Sequence, residues 1–206
     1  MLLELTRQEK KIFDKLNTPK KIQDFLENIP INFEEGGETC LSPHRVLVEN
    51  RAHCFEGALL AAALLMHHGE RPLLMDLKST DDDEDHVVAL FRNNGRWGSL
   101  SKTNHAVLRY REPIYKNTRE LALSFFHEYF RDDGRKTLRS YSLPLNLSKF
   151  NRLNWVTDEK SLWYLVEALD RSPHRPIVSK SQIAKMRRAD PIEIKAGKIT
   201  VWKPRS

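Results

Sequence analysis

The sequence predicts an α+β fold, and three observations predict it. Helical periodicity dominates the first 70 residues, short strand-like runs begin at Pro72, and helical patterns return after Asn117. Elements of one type are grouped rather than alternated, so a parallel β-α-β sheet is not expected. With 206 residues and 40% hydrophobic content, the chain has enough apolar surface for a packed core and is not of disordered composition.

Each element has its own warrant. Glu4 to Leu16 carries Leu5, Ile12, Phe13 and Leu16 near helical spacing. Thr18-Pro19 then supplies an N-cap and a proline for the first helical position. Ile22, Phe25, Leu26 and Ile29 form one face of that second helix, which Pro30 stops. A loop through Glu35-Gly36-Gly37 and Ser42-Pro43 leads to the short apolar run Val46-Leu47-Val48. The strongest helix starts at Cys54 and runs through Ala58 to Met66, with Gly69 as its stop. It is apolar on nearly all sides, which marks a central helix covered by other elements. Pro72 to Lys78, His86 to Arg92 and Arg96 to Ser101 read as strands, with Asn93-Asn94-Gly95 as a hairpin turn. Ala106 to Tyr110 is a candidate fourth strand. Asn117 with Glu120 opens a helix through Leu121, Phe125 and Tyr129, and Asp158 is expected to cap another carrying Leu162, Leu165, Val166 and Leu169. Ile192 to Trp202, alternating around Ala196-Gly197, reads as a small hairpin.

Composition excludes several classes. No run approaches the roughly 18–20 apolar residues of a membrane helix. The N-terminus meets an acid at Glu4 and has no secretory layout. Two cysteines cannot build a disulfide framework, so a reducing cytoplasm is the expected compartment. No repeat of 20–50 residues is present. The net charge of +6 is unevenly spread. Residues 1–130 hold 17 Lys+Arg and 20 Asp+Glu, net −3, whereas 131–206 hold 17 and 8, net +9. This gives two segments: a core with N-terminal helices over 1–130, and a basic C-terminal extension over 131–206 packed on that core as one structural unit. The basic part is expected to dock on the acidic part or attract an acidic partner. No aromatic-interleaved signature accompanies Lys185-Met186-Arg187-Arg188, so nucleic acid is not the expected partner.

The chemistry concentrates around Cys54. A cysteine at a helix start faces unpaired amides and the positive dipole end, which favour the thiolate. The same amides suit an oxyanion formed on an attacked carbonyl. His86, opening a strand, is the candidate base, positioned by a sheet rather than a loop. Across the hairpin turn, alternation puts Trp97, Ser99 and Ser101 on one side, where they can face His86.

The segments His53-Cys54-Phe55-Glu56-Gly57-Ala58, Asp85-His86-Val87-Val88 and Gly95-Arg96-Trp97, over roughly residues 46–110, resemble the transglutaminase-like superfamily. That resemblance implies a papain-like core, a central helix packed on an antiparallel sheet, and a Cys-His-Asp triad for thiol-dependent acyl chemistry on amide or peptide-like substrates without a cofactor. Cys54 matches the nucleophile and His86 the base. The family's aspartate position holds Ser101, in Trp97-Gly98-Ser99-Leu100-Ser101. A serine hydroxyl can accept from Nδ1–H and fix the tautomer, but brings no charge; Asn104 is the next candidate orienter, and Trp97 a site-lining residue. A non-catalytic relative that uses the cleft for binding is the alternative.

Other residues receive plainer readings. Cys40 is expected to be structural, His53 a solvated loop histidine, and Glu56 an acid favourable to the helix dipole. The run Asp81-Asp82-Asp83-Glu84-Asp85 lacks the spaced ligands of a calcium loop and reads as a solvated loop whose charge favours a protonated His86. Cys54, His67, His68 and His86 are zinc-type ligands without zinc-type spacing, so no metal is expected.

Overall fold

The structure is a computed structural model describing residues 5–200. Four helices come first. Helix α1 (Arg7–Lys15) opens with a Thr6/Glu9 capping box. Helix α2 (Pro19–Asn28) has Thr18 as N-cap and ends before Pro30. Helix α3 (Pro43–Glu49) occupies the stretch read as loop and apolar run. Its N-cap Ser42 and N1 Pro43 repeat the Thr18-Pro19 signal. Helix α4 (Cys54–His67) is buried from Phe55 to Leu65. Its end is a Schellman motif: Gly69 at φ +85° lets the Glu70 N–H reach the Leu65 carbonyl at 3.0 Å and its own N–H reach Met66.

Strands β1 (Leu73–Lys78), β2 (His86–Asn93) and β3 (Arg96–Leu100) form the expected meander. Asn94 and Gly95 adopt the left-handed turn that joins β2 to β3. The fourth strand is not Ala106 to Tyr110 but β4 (Arg111–Tyr115). Helix α5 (Thr118–Leu123), capped by Asn117, is shorter than expected and gives way to a 3-10 turn over Phe126–Glu128. Beyond residue 131 come β5 (Ser140–Ser142), β6 (Leu145–Asn146), α6 (Trp163–Asp170), β7 (His174–Pro176), α7 (Lys180–Ile183) and α8 (Pro191–Gly197). The cap of α6 is Leu162; Asp158 instead accepts from the Lys160 N–H. The expected hairpin is helix α8, opened by an Asp190/Glu193 capping box with Pro191 at its first turn; Val201 and Trp202 lie outside the described residues.

Seven strands among the described residues form one antiparallel sheet, ordered β4-β3-β2-β1-β5-β7, with β6 also on β1. The fold is therefore α+β. Alternation in β2 serves two cores. Val87, Ala89 and Phe91 join the cluster around α4, while Val88 and Leu90 join one with Phe125 and Tyr129. The basic segment is woven into this sheet through β5, β6 and β7 rather than appended to it. Arg131 and Arg135 also pair with Asp82. No helix among the described residues is long and apolar enough to cross a membrane.

Candidate active site

Cys54 is the first residue of α4, half-buried, and opens into a cleft of about 770 Å³. His86, the first residue of β2, lines the same cleft with 5% of its surface exposed. His53 lines it as well. Burial pushes the Cys54 thiol up, but the neighbouring His53 and His86 side chains outweigh it and bring the thiol down to about 5. Cys40 is free but fully buried, and burial pushes its thiol up to about 12.

Ser101 holds His86. Its Oγ lies 2.8 Å from His86 Nε2 and donates to the Leu108 carbonyl at 2.5 Å. A hydroxyl has one proton, so with Leu108 as its acceptor, Ser101 accepts from Nε2–H. The nitrogen held is thus Nε2, where the sequence suggested Nδ1. Asn104 lines the cleft but does not hold the ring. Trp97 does not line the cleft; it sits near the hairpin turn, 5.0 Å beneath the Arg92 guanidinium.

The serine is itself gripped. Gln23 on α2, buried to 7% exposure, accepts from the Ser101 N–H at 3.0 Å and donates to its carbonyl at 2.8 Å. Next in the chain, Lys102 donates to the carbonyl of Leu26 on α2, at 2.8 Å, and to that of Ile29, the C-cap of α2. Burial brings this lysine down to about 8. Lys102 crosses α4 where a Cβ on Gly57 would lie 2.4 Å from Lys102 Cβ, so only glycine fits there. Leu108 adopts φ +60°, a costly conformation for a leucine, held by Ser101 at its carbonyl and by Glu128 at its N–H, 2.9 Å away.

His53 is the N-cap of α4 rather than a solvated loop residue. Glu56, fully buried, does more than complement the dipole. Its carboxylate accepts from Leu41 N–H at 2.9 Å, Thr39 Oγ1 at 2.7 Å, Asn32 Nδ2 at 3.0 Å and His53 N–H at 3.0 Å. His53 Nε2 stands 3.3 Å from it. Burial opposes the charge, but these donors, His53 foremost, hold Glu56 down to about 2.

The acidic run is fastened rather than merely solvated. Asp85 is turned onto Lys78 and Ser79, and Asp83 accepts from Thr137 Oγ1. His67 and His68 lie at the far end of α4, bonded to Asp14 and to the Phe13 carbonyl, so the zinc-type ligands are not brought together. Among the described residues no group of three or more His, Cys, Asp or Glu is placed to hold a metal ion. The far wall of the cleft includes Ile194 and Gly197 of α8.

Gln23 and Lys102 escaped the sequence reading, and Glu56 was read there only as an acid suited to the helix dipole. Gln23 had one visible signal, a polar residue beside the apolar face of α2. Compared with known proteins, the sequence matches no family model and no curated protein.

Proposed function

We propose that the protein is a cysteine-dependent acyl hydrolase of the transglutaminase-like kind, with a papain-like core, working on an amide or peptide-like substrate in the cytoplasm. The observation that carries this reading is the His86 Nε2–Ser101 Oγ bond of 2.8 Å, which supports an imidazole aimed by its other nitrogen at a helix-start thiol. The order of parts agrees with the resemblance: cysteine at the start of a buried helix, histidine opening a strand, orienter just past the next strand.

In this mechanism the Cys54 thiolate attacks the amide carbonyl. Backbone N–H groups at the start of α4, beside Cys54, receive the oxyanion. Protonated His86 gives its proton to the leaving nitrogen, and a thioester to Cys54 forms. Neutral His86 then takes a proton from water as that water attacks the thioester, and the thiolate leaves with the proton on His86. Hydrolysis is favoured over amine transfer because water is always available. An acidic macromolecule is the partner class suited to the exposed cations around Lys185 and Arg187.

The test is to incubate the protein with a panel of peptide amides and p-nitroanilides, quench in acid, and search Cys54 for an acyl adduct by mass spectrometry. A hydroxylamine-labile adduct, absent in Cys54→Ser, is expected. Turnover that survives Cys54→Ser would overturn the reading, and tight peptide binding without any adduct would favour the binding-protein alternative.

A further inference from the structure

Ser101 accepts from His86 only while its own proton goes elsewhere, and that proton goes to the Leu108 carbonyl, 2.5 Å away. Leu108 therefore decides which way the Ser101–His86 bond runs. It does so from φ +60°, a left-handed conformation that costs a leucine and that its apolar side chain cannot offset with a hydrogen bond. A contact from outside the residue must hold it there.

We propose that Glu128 is a positioning residue for His86: by taking the Leu108 N–H, it keeps the Leu108 carbonyl turned to Ser101 and so fixes which His86 nitrogen carries the proton. This rests on His86 being the base of the reaction proposed above.

Every link is a direct contact. Glu128, the last residue of the 3-10 turn, accepts from the Leu108 N–H at Oε2, and both residues line the cleft. The carboxylate is anchored in turn. Arg111, the first residue of β4, donates to the same oxygen at 2.6 Å from a side chain only 13% exposed. Its guanidinium also donates to Ser124 Oγ at 3.0 Å and to the Ser124 carbonyl at 3.2 Å, and lies 4.1 Å over the Phe125 ring. Arg109, beside Leu108 in the chain, reaches Glu27 of α2 at 2.8 Å. The peptide groups on both sides of Leu108 are thus fastened. As an ion pair alone, Arg111 and a Glu128 side chain 36% exposed stabilise little. What sets this pair apart is the sharing of its oxygen with the N–H of a strained residue.

Without Glu128 the Leu108 backbone relaxes toward negative φ, and its carbonyl turns away from Ser101. The Ser101 proton then turns to His86 Nε2, and the ring proton moves from Nε2 to Nδ1. The lone pair that should take a proton from water is spent on the serine.

The experiment reads the two ring nitrogens of His86 by nitrogen NMR, titrated to the alkaline plateau, with His86→Asn to assign the signals. The proteins compared are wild type, Glu128→Ala, Glu128→Gln and the double variant Glu128→Ala/Leu108→Gly. Wild type is expected to carry the proton on Nε2, and Glu128→Ala to shift about half of it or more to Nδ1. Turnover of a peptide amide should fall about tenfold in kcat in Glu128→Ala, with KM nearly unchanged. Glycine adopts positive φ without strain, so the double variant should regain the Nε2 tautomer, a rescue that lost stability alone does not explain. Glu128→Gln keeps an oxygen for the Leu108 N–H and should keep the tautomer. A wild-type proton on Nδ1, an unshifted tautomer in Glu128→Ala, an unrescued double variant, or a Glu128→Gln as shifted as Glu128→Ala overturns the proposal. Should Glu128→Ala not fold, the wild-type and Glu128→Gln spectra decide. Expected tautomers without any acyl adduct on Cys54 would instead defeat the hydrolase reading, so the two failures are distinguishable.

Discussion

His86 Nε2 lies 2.8 Å from the Ser101 hydroxyl, whose own proton is directed to the Leu108 carbonyl 2.5 Å away. This relay makes a neutral side chain an obligatory acceptor and leaves one tautomer of His86. Replacing Ser101 by Ala removes that acceptor and frees the ring to rotate. Turnover of a peptide amide should fall roughly 10- to 100-fold in kcat, with a smaller effect on KM. Unchanged kinetics in Ser101→Ala would show that the ring needs no orienter.

Ser101 is held in place from α2 by Gln23, through one hydrogen bond to its N–H and one from Gln23 to its carbonyl. Gln23→Leu leaves both backbone groups buried without these partners, at about 1–3 kcal/mol for each group. Urea unfolding should register a loss of roughly 2–6 kcal/mol. Turnover should drop as well, because the hydroxyl that aims His86 is no longer fixed. A variant as stable as wild type would contradict the assigned contacts.

Gly57 sits where Lys102 crosses α4. A Cβ there would meet Lys102 Cβ at 2.4 Å, an atom too close to the backbone to swing away. Gly57→Ala should therefore destabilise by about 1–3 kcal/mol, despite the better helix propensity of alanine. Gly36→Ala, with nothing within 4 Å of the new carbon, serves as the neutral comparison. Thermal unfolding of the two variants side by side checks this.

Acid should act through Glu56. Its folded-state value of about 2 lies below the ordinary 4.5, so its stabilising contribution is complete above pH 4.5 and is lost as pH falls through 2. Wild-type stability should decline across that window. Glu56→Gln should be less stable at neutral pH and decline less steeply between pH 4.5 and 2. Parallel stability curves for the two proteins would contradict this role of the carboxylate.

What the sequence revealed was local in character. Cys54 before an all-apolar helix, Asn94-Gly95 between strands and Thr18-Pro19 before α2 are signals carried by adjacent residues, and each lies where its pattern indicates. Ser42-Pro43 and Asp190-Pro191 carried the same helix-start chemistry, but neighbouring glycines and alternation made them read as loop and hairpin. Strands β5, β6 and β7 are two or three residues long, and such segments owe their form to an existing sheet edge rather than to their own pattern. At the candidate site, Cys54 stood out by its place at a helix start and His86 and Ser101 through the family resemblance, and the fold sets the Ser101 hydroxyl against His86. The grip of Gln23 on Ser101 spans 78 residues, and the partners of Glu56 come from a loop folded back over α4. Such contacts exist only once the chain has packed.

The most direct test of the account compares the two thiols of the native protein across pH. Cys54, held down to about 5, should be alkylated by iodoacetamide with a midpoint well below 8, and far faster at neutral pH than Cys40, which burial pushes up to about 12. Equal, slow labelling of both cysteines at pH 7 would contradict a nucleophilic Cys54.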